Sequence, residues 1–407
     1  MRIIVLIWLV ILTSGAFAQT PIEISPANGW HLSWSDEFDY ENEQLDQKWE
    51  SQNGPSSHIL CSRWRENAVV GDGVLELEAR KEKKAGQEWT AGNIWTKKKF
   101  KYGYFECRYK YAGAGATNNS FWLMTKGPAP KKGERFEIDI NEGHFPNSVN
   151  TNIHNWGKKH TSDSRSHVFG ITADVNLPLE IPITTNKIRF SSRNNGHFHL
   201  REFRIYNDNH RNFPDVFSET ADQDVQGLIN YARQANTKVR VSGKFDENHP
   251  ATNMTDGKVL GSSWVSQKAG EKWVEFEFDK KKTVGCVQFI NGWRHGEHWA
   301  GLISDYKIEY WNGHEWVEMA SLDLVKQNNF SENYHTYGLK WDEKELVFYF
   351  DGKEIRREKN EFCFSEAPIW LSLAIIKWNG PVKDVIDGKS MKVDYVRYYT
   401  NEQHINH

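Results

Sequence analysis

The sequence predicts an all-β protein, a sandwich or barrel of short strands, and three observations carry that fold class. From Gly29 to Trp156 the chain is broken into short alternating runs bounded by turn residues, with no convincing helical period among them. The run Phe136 to Gly143 sets acidic residues on one face of a strand in a way that only a bent sheet can use. A length of 407 residues exceeds the usual single domain, so two domains are expected.

Taken in order, residues 1–18 read as a secretory signal peptide. Arg2 is the basic start, Ile3 to Leu12 the apolar run and Ala16-Phe17-Ala18 the small-x-small cleavage site. The mature chain is expected to begin near Gln19 and to be secreted or periplasmic. The run is too short to span a bilayer and no second apolar stretch of spanning length follows, so no membrane insertion is expected after signal removal. Gln rather than Cys at position 19 argues against a lipid anchor. A net charge of −3 argues against nucleic acid as a partner. Eighteen tryptophans are a heavy load; most serve sheet cores, but rings exposed in a cleft suit the apolar faces of sugars. Cys61, Cys107, Cys286 and Cys363 are too few and too scattered for a disulfide scaffold or a zinc site. Cys61 with Cys107 is the most plausible bridge, and buried free thiols are an equal alternative.

The next strands, Val74 to Ala79 and Tyr104 to Tyr109, alternate with period two behind the turns Gly71-Asp72-Gly73 and Gly103. They lead to Phe136-Glu-Ile-Asp-Ile-Asn-Glu-Gly143. Here Glu137 and Asp139 share a face, and a β-bulge near Asn141 is needed to bring Glu142 back beside them. Like charges held this close raise one another's pKa, a cost that an idle surface does not explain. A retaining glycosidase uses such a cluster, with one ionised carboxylate as nucleophile and one protonated carboxyl as general acid about 5 to 5.5 Å away. The unbent strand from Glu137 to Glu142 would span roughly 13 Å, so the sheet must be concave.

The stretch resembles the bulged signature of glycoside hydrolase family 16, the form found in laminarinases, agarases, porphyranases and carrageenases. Trp34-Ser-Asp-Glu-Phe-Asp39 resembles the family's opening, Tyr102-Gly-Tyr-Phe-Glu106 and Phe121-Trp-Leu123 the strands before the catalytic one, and Tyr334 to Trp341, Phe348 to Gly352 and Val393 to Arg397 its closing strands, all in the family's order. The resemblance implies a concave, concanavalin-like β-sandwich jelly roll. It implies Glu137 as nucleophile, Asp139 as the assisting residue that hydrogen-bonds it, and Glu142 as acid/base. It also places the strand carrying Asn152, His154 and Trp156 beside the catalytic one. The substrate-binding candidates are Asn93, Trp95, Asn119, Trp122, His154, Trp156 and Trp378. No cofactor is required for this chemistry, but the resemblance allows a structural Ca²⁺ at Asp394 with backbone carbonyls, an Asp satisfied by the backbone being the equal alternative.

In that family the strand ending near Trp156 leads almost directly to the Tyr-His-Thr-Tyr strand, whereas here residues 161–327 intervene. They are too many for a loop and read as an inserted domain, with the host formed by 19–160 and 328–400 and a loose tail at 401–407. Asn253 to Gly257, Lys272 to Phe278, Thr283 to Phe289 and Tyr306 to Tyr310 resemble the first two thirds of a discoidin-type β-sandwich. Its closing strands are matched earlier, by Thr185 to Phe190 and His199 to Tyr206, so the insert reads as circularly permuted. Its new joint lies between Asn207 and Asn236. Two separate small inserts are the alternative. Trp293, His295, His298 and Trp299 are its candidates for sugar contact.

The expected function is a secreted, endo-acting retaining glycosidase with a polysaccharide substrate. A red-algal galactan is preferred, because Ala116 to Ser120 stands where common laminarinases have a Trp-Pro-Ala run. Lys97 to Lys99, Lys101, Lys131, Lys132, Lys158, Lys159 and His160 could meet sulfate groups or be solvated loops. The alternatives are a β-1,3-glucanase of laminarinase type and an inactive, lectin-like binding protein.

Overall fold

The alternating runs form two packed sheets, described in a computed structural model for residues 20–126, 135–157, 159–194, 196–209, 227–295 and 298–401. The expected signal peptide, almost all of the tail, and Lys131, Lys132 and Lys158 lie outside these residues, as does most of the expected joint of the insert. The chain divides into two units, Met1–Val168 with Asn329–His407, and Phe169–Asn328.

One sheet of the first unit carries the acidic run. In chain order its seven strands are β1 (Trp49–Ser51), β2 (Asn93–Phe100), β3 (Thr117–Met124), β4 (Phe136–His144), β5 (Ser148–Asn155), β6 (Thr161–Val168) and β7 (Ala367–Ile375). In space they run β6-β5-β4-β3-β7-β2-β1, and every neighbouring pair is antiparallel. The second sheet has eight strands, with Gly103–Lys110 between His335–Trp341 and Ser390–Asn401. Residues pointing between the sheets form the core: Phe121, Leu123, Ile138, Ile140, Leu371 and Leu373 from one side, Phe105, Tyr109, Tyr337, Leu339, Trp341 and Val396 from the other, all buried. Phe136 and Trp341 meet edge to face at 5.5 Å directly behind the acidic strand. Asp36, in the opening motif, is a structural bracket: its buried carboxylate accepts from Tyr40 Oη at 2.8 Å, Trp49 Nε1 at 2.7 Å and Lys48 Nζ at 3.1 Å.

The expected boundary at residue 160 is corrected, because β6 pairs with β5 over its whole length, from Asn155↔Thr161 to Ser148↔Val168. β6 has no apolar alternation, since an edge strand wetted on both faces has no need of it. What ties it down comes from the other sheet. The buried guanidinium of Arg356 donates to Thr151 O at 3.0 Å and to Asp163 O at 3.2 Å.

The second unit is a β-structure with its own core. Its two long strands, Asp174–Ser192 and Lys272–Asn291, pair antiparallel with a break between Pro178 and Ile183. Around them one cluster joins Phe190, Phe198, Phe203 and Ile205 to Trp264, Phe276, Phe289 and Ile308. Residues from both ends of the segment therefore share a single core, which excludes two separate small inserts.

The four cysteines are free and buried, so the Cys61–Cys107 bridge is not formed. Cys61 Sγ accepts a hydrogen bond from Ile375 N at 3.4 Å, whereas Cys107 lies on the other sheet, where burial raises its thiol pKa.

Candidate active site

The bulge is present. Across β3, Asp139 faces Trp122 and Asn141 faces Phe121, while across β5 Asp139 faces Asn152 and Glu142 faces Asn150. β4 thus carries one extra residue, and Glu142 returns to the face of Glu137 and Asp139. Ile140 and Asn141 both turn into the core. Burying the Asn141 amide is tolerated because it is satisfied: Nδ2 donates to Tyr109 Oη at 2.6 Å and Tyr111 Oη at 2.9 Å, and Oδ1 accepts from Asn150 N at 3.3 Å. Gly143 ends the signature for a steric reason, since a Cβ there would sit 2.4 Å from Cζ of the Tyr111 ring.

The three carboxyls act on one another. Burial is the main cause that raises the pKa of each, and the Glu142 charge raises Glu137 and Asp139 further. Glu137 and Asp139 share a hydrogen bond that lowers the pKa of the first and raises that of the second. Trp156 Nε1 donates to Glu137 Oε2 at 2.8 Å, which also favours the ionised form. Glu142 Oε1 accepts from Asn118 Nδ2 at 2.7 Å. His154 Nε2 lies 3.4 Å from Asp139 Oδ2. One atom each of Glu137, Asp139 and His154 lie within 4.8 Å of one another.

Two rows of side chains lead away from the carboxyls across the same face. Register pairs Asp139 with Trp122, Trp122 with Trp370, Trp370 with Trp95 and Trp95 with Glu50. Trp370 stacks on Trp122, with centroids 4.7 Å apart, and lies tilted against Trp95 at 4.6 Å. Lys126 caps the row, its Nζ 3.5 Å from the Trp95 ring centre and 3.0 Å from Glu50 Oε2. The parallel row is polar: Glu142, Ser120, Ser372 and Asn93. The amide oxygens of Asn93 and Asn118 are buried and accept no hydrogen bond among the described residues.

Of the seven candidate substrate-binding residues, the site face holds Asn93, Trp95, Trp122 and His154, and Trp156 joins it through Glu137. Trp378 is 57% exposed on a loop anchored to the start of β3, where Asn379 Nδ2 donates to Thr117 O at 3.1 Å. Asn119 is a correction. It points into the core, donating to Gly143 O at 2.9 Å and accepting from Ala112 N at 2.7 Å. Counting back by twos from Trp122 reaches Ser120 and Asn118, so the alternation itself would have selected Asn118. Trp370 was also missed, because Ala367 to Ile375, apolar apart from Ser372, reads as a buried strand. Among the described members of the basic set, His160 meets His154 and Trp156 beside the carboxyl cluster; Lys97 is tied to Asp46 O at 2.5 Å, and Lys98 and Lys101 lie over Phe100 and Tyr102.

Asp394 sits on the other sheet with the Arg108 guanidinium on its carboxylate. A calcium ion would have to displace that cation, so the residues present do not fit a metal there.

A family model described as glycosyl hydrolases family 16 matches residues 57–178 and 306–397, just over half of the chain. The chain is 36% identical over 147 residues to the Beta-glucanase of Rhodothermus marinus, covering 32% of this chain and 50% of that protein. It is 35% identical over 83 residues to the Endo-1,3-1,4-beta-glycanase ExoK of Rhizobium meliloti, covering 20% and 30%. The chain thus spans half the length, or less, of these curated relatives. The laminarinase catalytic domain from Thermotoga maritima superposes with a TM-score of 0.47 at 16% identity, covering 92% of this chain and 98% of that one.

Proposed function

Since the chain belongs to glycosyl hydrolase family 16, we propose that it is a retaining endo-glycosidase whose nucleophile is Glu137 and whose acid/base is Glu142. The bulge carries this reading: it places Glu142 on the face of Glu137 and Asp139, within electrostatic reach of both. Glu137 attacks the anomeric carbon while Glu142 protonates the departing oxygen; Glu142 then takes a proton from the water that releases the glycosyl-enzyme. Asp139, holding the proton of its pair, donates to Glu137 and keeps the nucleophile ionised. The acceptor oxygens of Asn93 and Asn118 take hydrogen bonds from sugar hydroxyls, and the tryptophan row walls one side of the sugar chain.

The substrate we propose is a β-1,3-linked glucan of laminarin type, in keeping with relatives named for β-glucan and 1,3-1,4-β-glycan cleavage. A galactan remains the second reading on one observation, the small and polar run Ala116 to Ser120 beside Glu142. We also propose export by the signal at residues 1–18, which N-terminal sequencing of the secreted protein tests by beginning at Gln19. The insert is proposed to be a permuted discoidin-type module, in keeping with the core that unites its two ends.

The test is incubation with laminarin, mixed-linkage glucan, agarose, porphyran and carrageenan, reading the released oligosaccharides and the anomer first formed. Laminarin oligosaccharides with retained configuration are expected. Glu137→Gln and Glu142→Gln should each lose about 10³-fold or more in turnover while remaining folded. Polysaccharide binding without turnover by the wild type would instead identify a lectin-like protein.

A further inference from the structure

Trp156 does something other than stack on sugar. Its backbone N–H donates to Arg135 O at 2.7 Å, which fixes the start of the loop after β5 beside the start of β4. From there its indole N–H meets Glu137 Oε2 at 2.8 Å. One face of the indole is already occupied, because His160 lies on it at 4.0 Å with 10° between the planes. His160 in turn meets His154, with 2.9 Å between its Nε2 and His154 Nδ1, and His154 Nε2 reaches Asp139. Glu137, Trp156, His160 and His154 therefore form a run of contacting side chains from β4, β5 and one loop, with Asp139 3.4 Å from its far end.

We infer that Trp156 is a positioning residue for the nucleophile, and that the stacked His160 holds its indole N–H on Glu137 Oε2. This rests on the assignment of Glu137 proposed above. When Glu137 attacks through one oxygen, the indole fixes the other, which sets the carboxylate plane and stabilises the charge that returns when the glycosyl-enzyme is released.

Among the described residues, the titratable groups facing Glu137 are Asp139 and Glu142 on its own strand and His154 on β5, with His160 behind Trp156 on the loop; β3 places the uncharged Met124 opposite. Burial and the Glu142 charge push the Glu137 pKa up, and burial together with His160 pushes the His154 pKa down. Among the described residues, the indole is one of two hydrogen-bond partners that favour the ionised nucleophile, the other being Asp139.

Trp156→Phe separates the two roles, because it keeps an aromatic ring and removes the N–H. In the full-length chain, carboxyl-carbon NMR should find Glu137 titrating about one unit higher in Trp156→Phe than in wild type. With laminarin as substrate, kcat should fall about 10- to 100-fold with KM changed less than threefold, and the acid limb of the kcat/KM profile should move up in step. His160→Ala should reproduce part of both shifts, whereas His160→Phe, which retains a stacked ring, should reproduce less. An unmoved Glu137 titration in Trp156→Phe overturns the inference. So does a rise in KM with kcat unchanged, which would make the ring a sugar platform. Failure of the wild type to cleave laminarin faults the proposed substrate and leaves the titration arm intact.

Discussion

Glu142 is half-buried with a carboxylate's charge to lose, and that sets the direction of its effect on stability. Its folded pKa is raised, so its favourable contribution is full below the unfolded value of about 4.3 and is lost as pH rises through the folded value. At pH 7 the ionised group therefore costs stability. Glu142→Gln keeps the Asn118 hydrogen bond and removes the charge, so it should raise stability at pH 7 by on the order of 1 kcal/mol, or about 2–4 °C in Tm. Thermal scans at pH 7 and pH 4 check this, with the gain fading at the lower pH. An inactive variant that melts higher is the mark of a group kept for chemistry at a cost in stability. The acidic trio was legible before any coordinates because period-two alternation with one bulge leaves it no other face to occupy. Asn118 was not, because the choice between it and Asn119 depends on phase, and phase is read correctly only from a fixed neighbour such as Trp122.

At the level of the strand, the bulge in β4 is held by Asn141. Its amide reaches two tyrosines on the opposite sheet and the backbone of β5, so it ties the extra residue to three partners. Asn141→Ala leaves Asn150 N without its acceptor and opens a space beside Tyr109 and Tyr111. It is expected to cost about 1–3 kcal/mol in urea unfolding. Activity should fall by more than the fraction unfolded explains, because Glu142 takes its position from the same bulge. The tryptophan row gives a second test. Trp370 is the middle ring of three, and Trp370→Ala separates Trp95 from Trp122. KM on long chains should rise at least tenfold, measured beside kcat to separate binding from chemistry. Neither Trp370 nor β6 could be picked out from the sequence. The first is masked by apolar neighbours on both sides, and the second lacks the apolar face that makes a strand readable.

Over the whole chain, two cores predict two melting events. Calorimetry should resolve two transitions, and a glucan oligosaccharide should raise only the one belonging to the unit that holds Glu137. Phe190→Ala, in the core of the other unit, should lower the second transition, with a loss of about 3–5 kcal/mol, and leave the first in place. The discontinuity itself was readable, because motifs in a known order were interrupted and then resumed. Its first boundary was set eight residues early, since Thr161–Val168 is polar up to its last residue. The sulfurs extend the same picture. With all four cysteines reduced and enclosed, neither unit depends on an oxidant to reach its fold. Dithiothreitol should leave the activity untouched, and a thiol-reactive dye should label the chain only where a unit opens, so that the order of labelling reports which unit yields first.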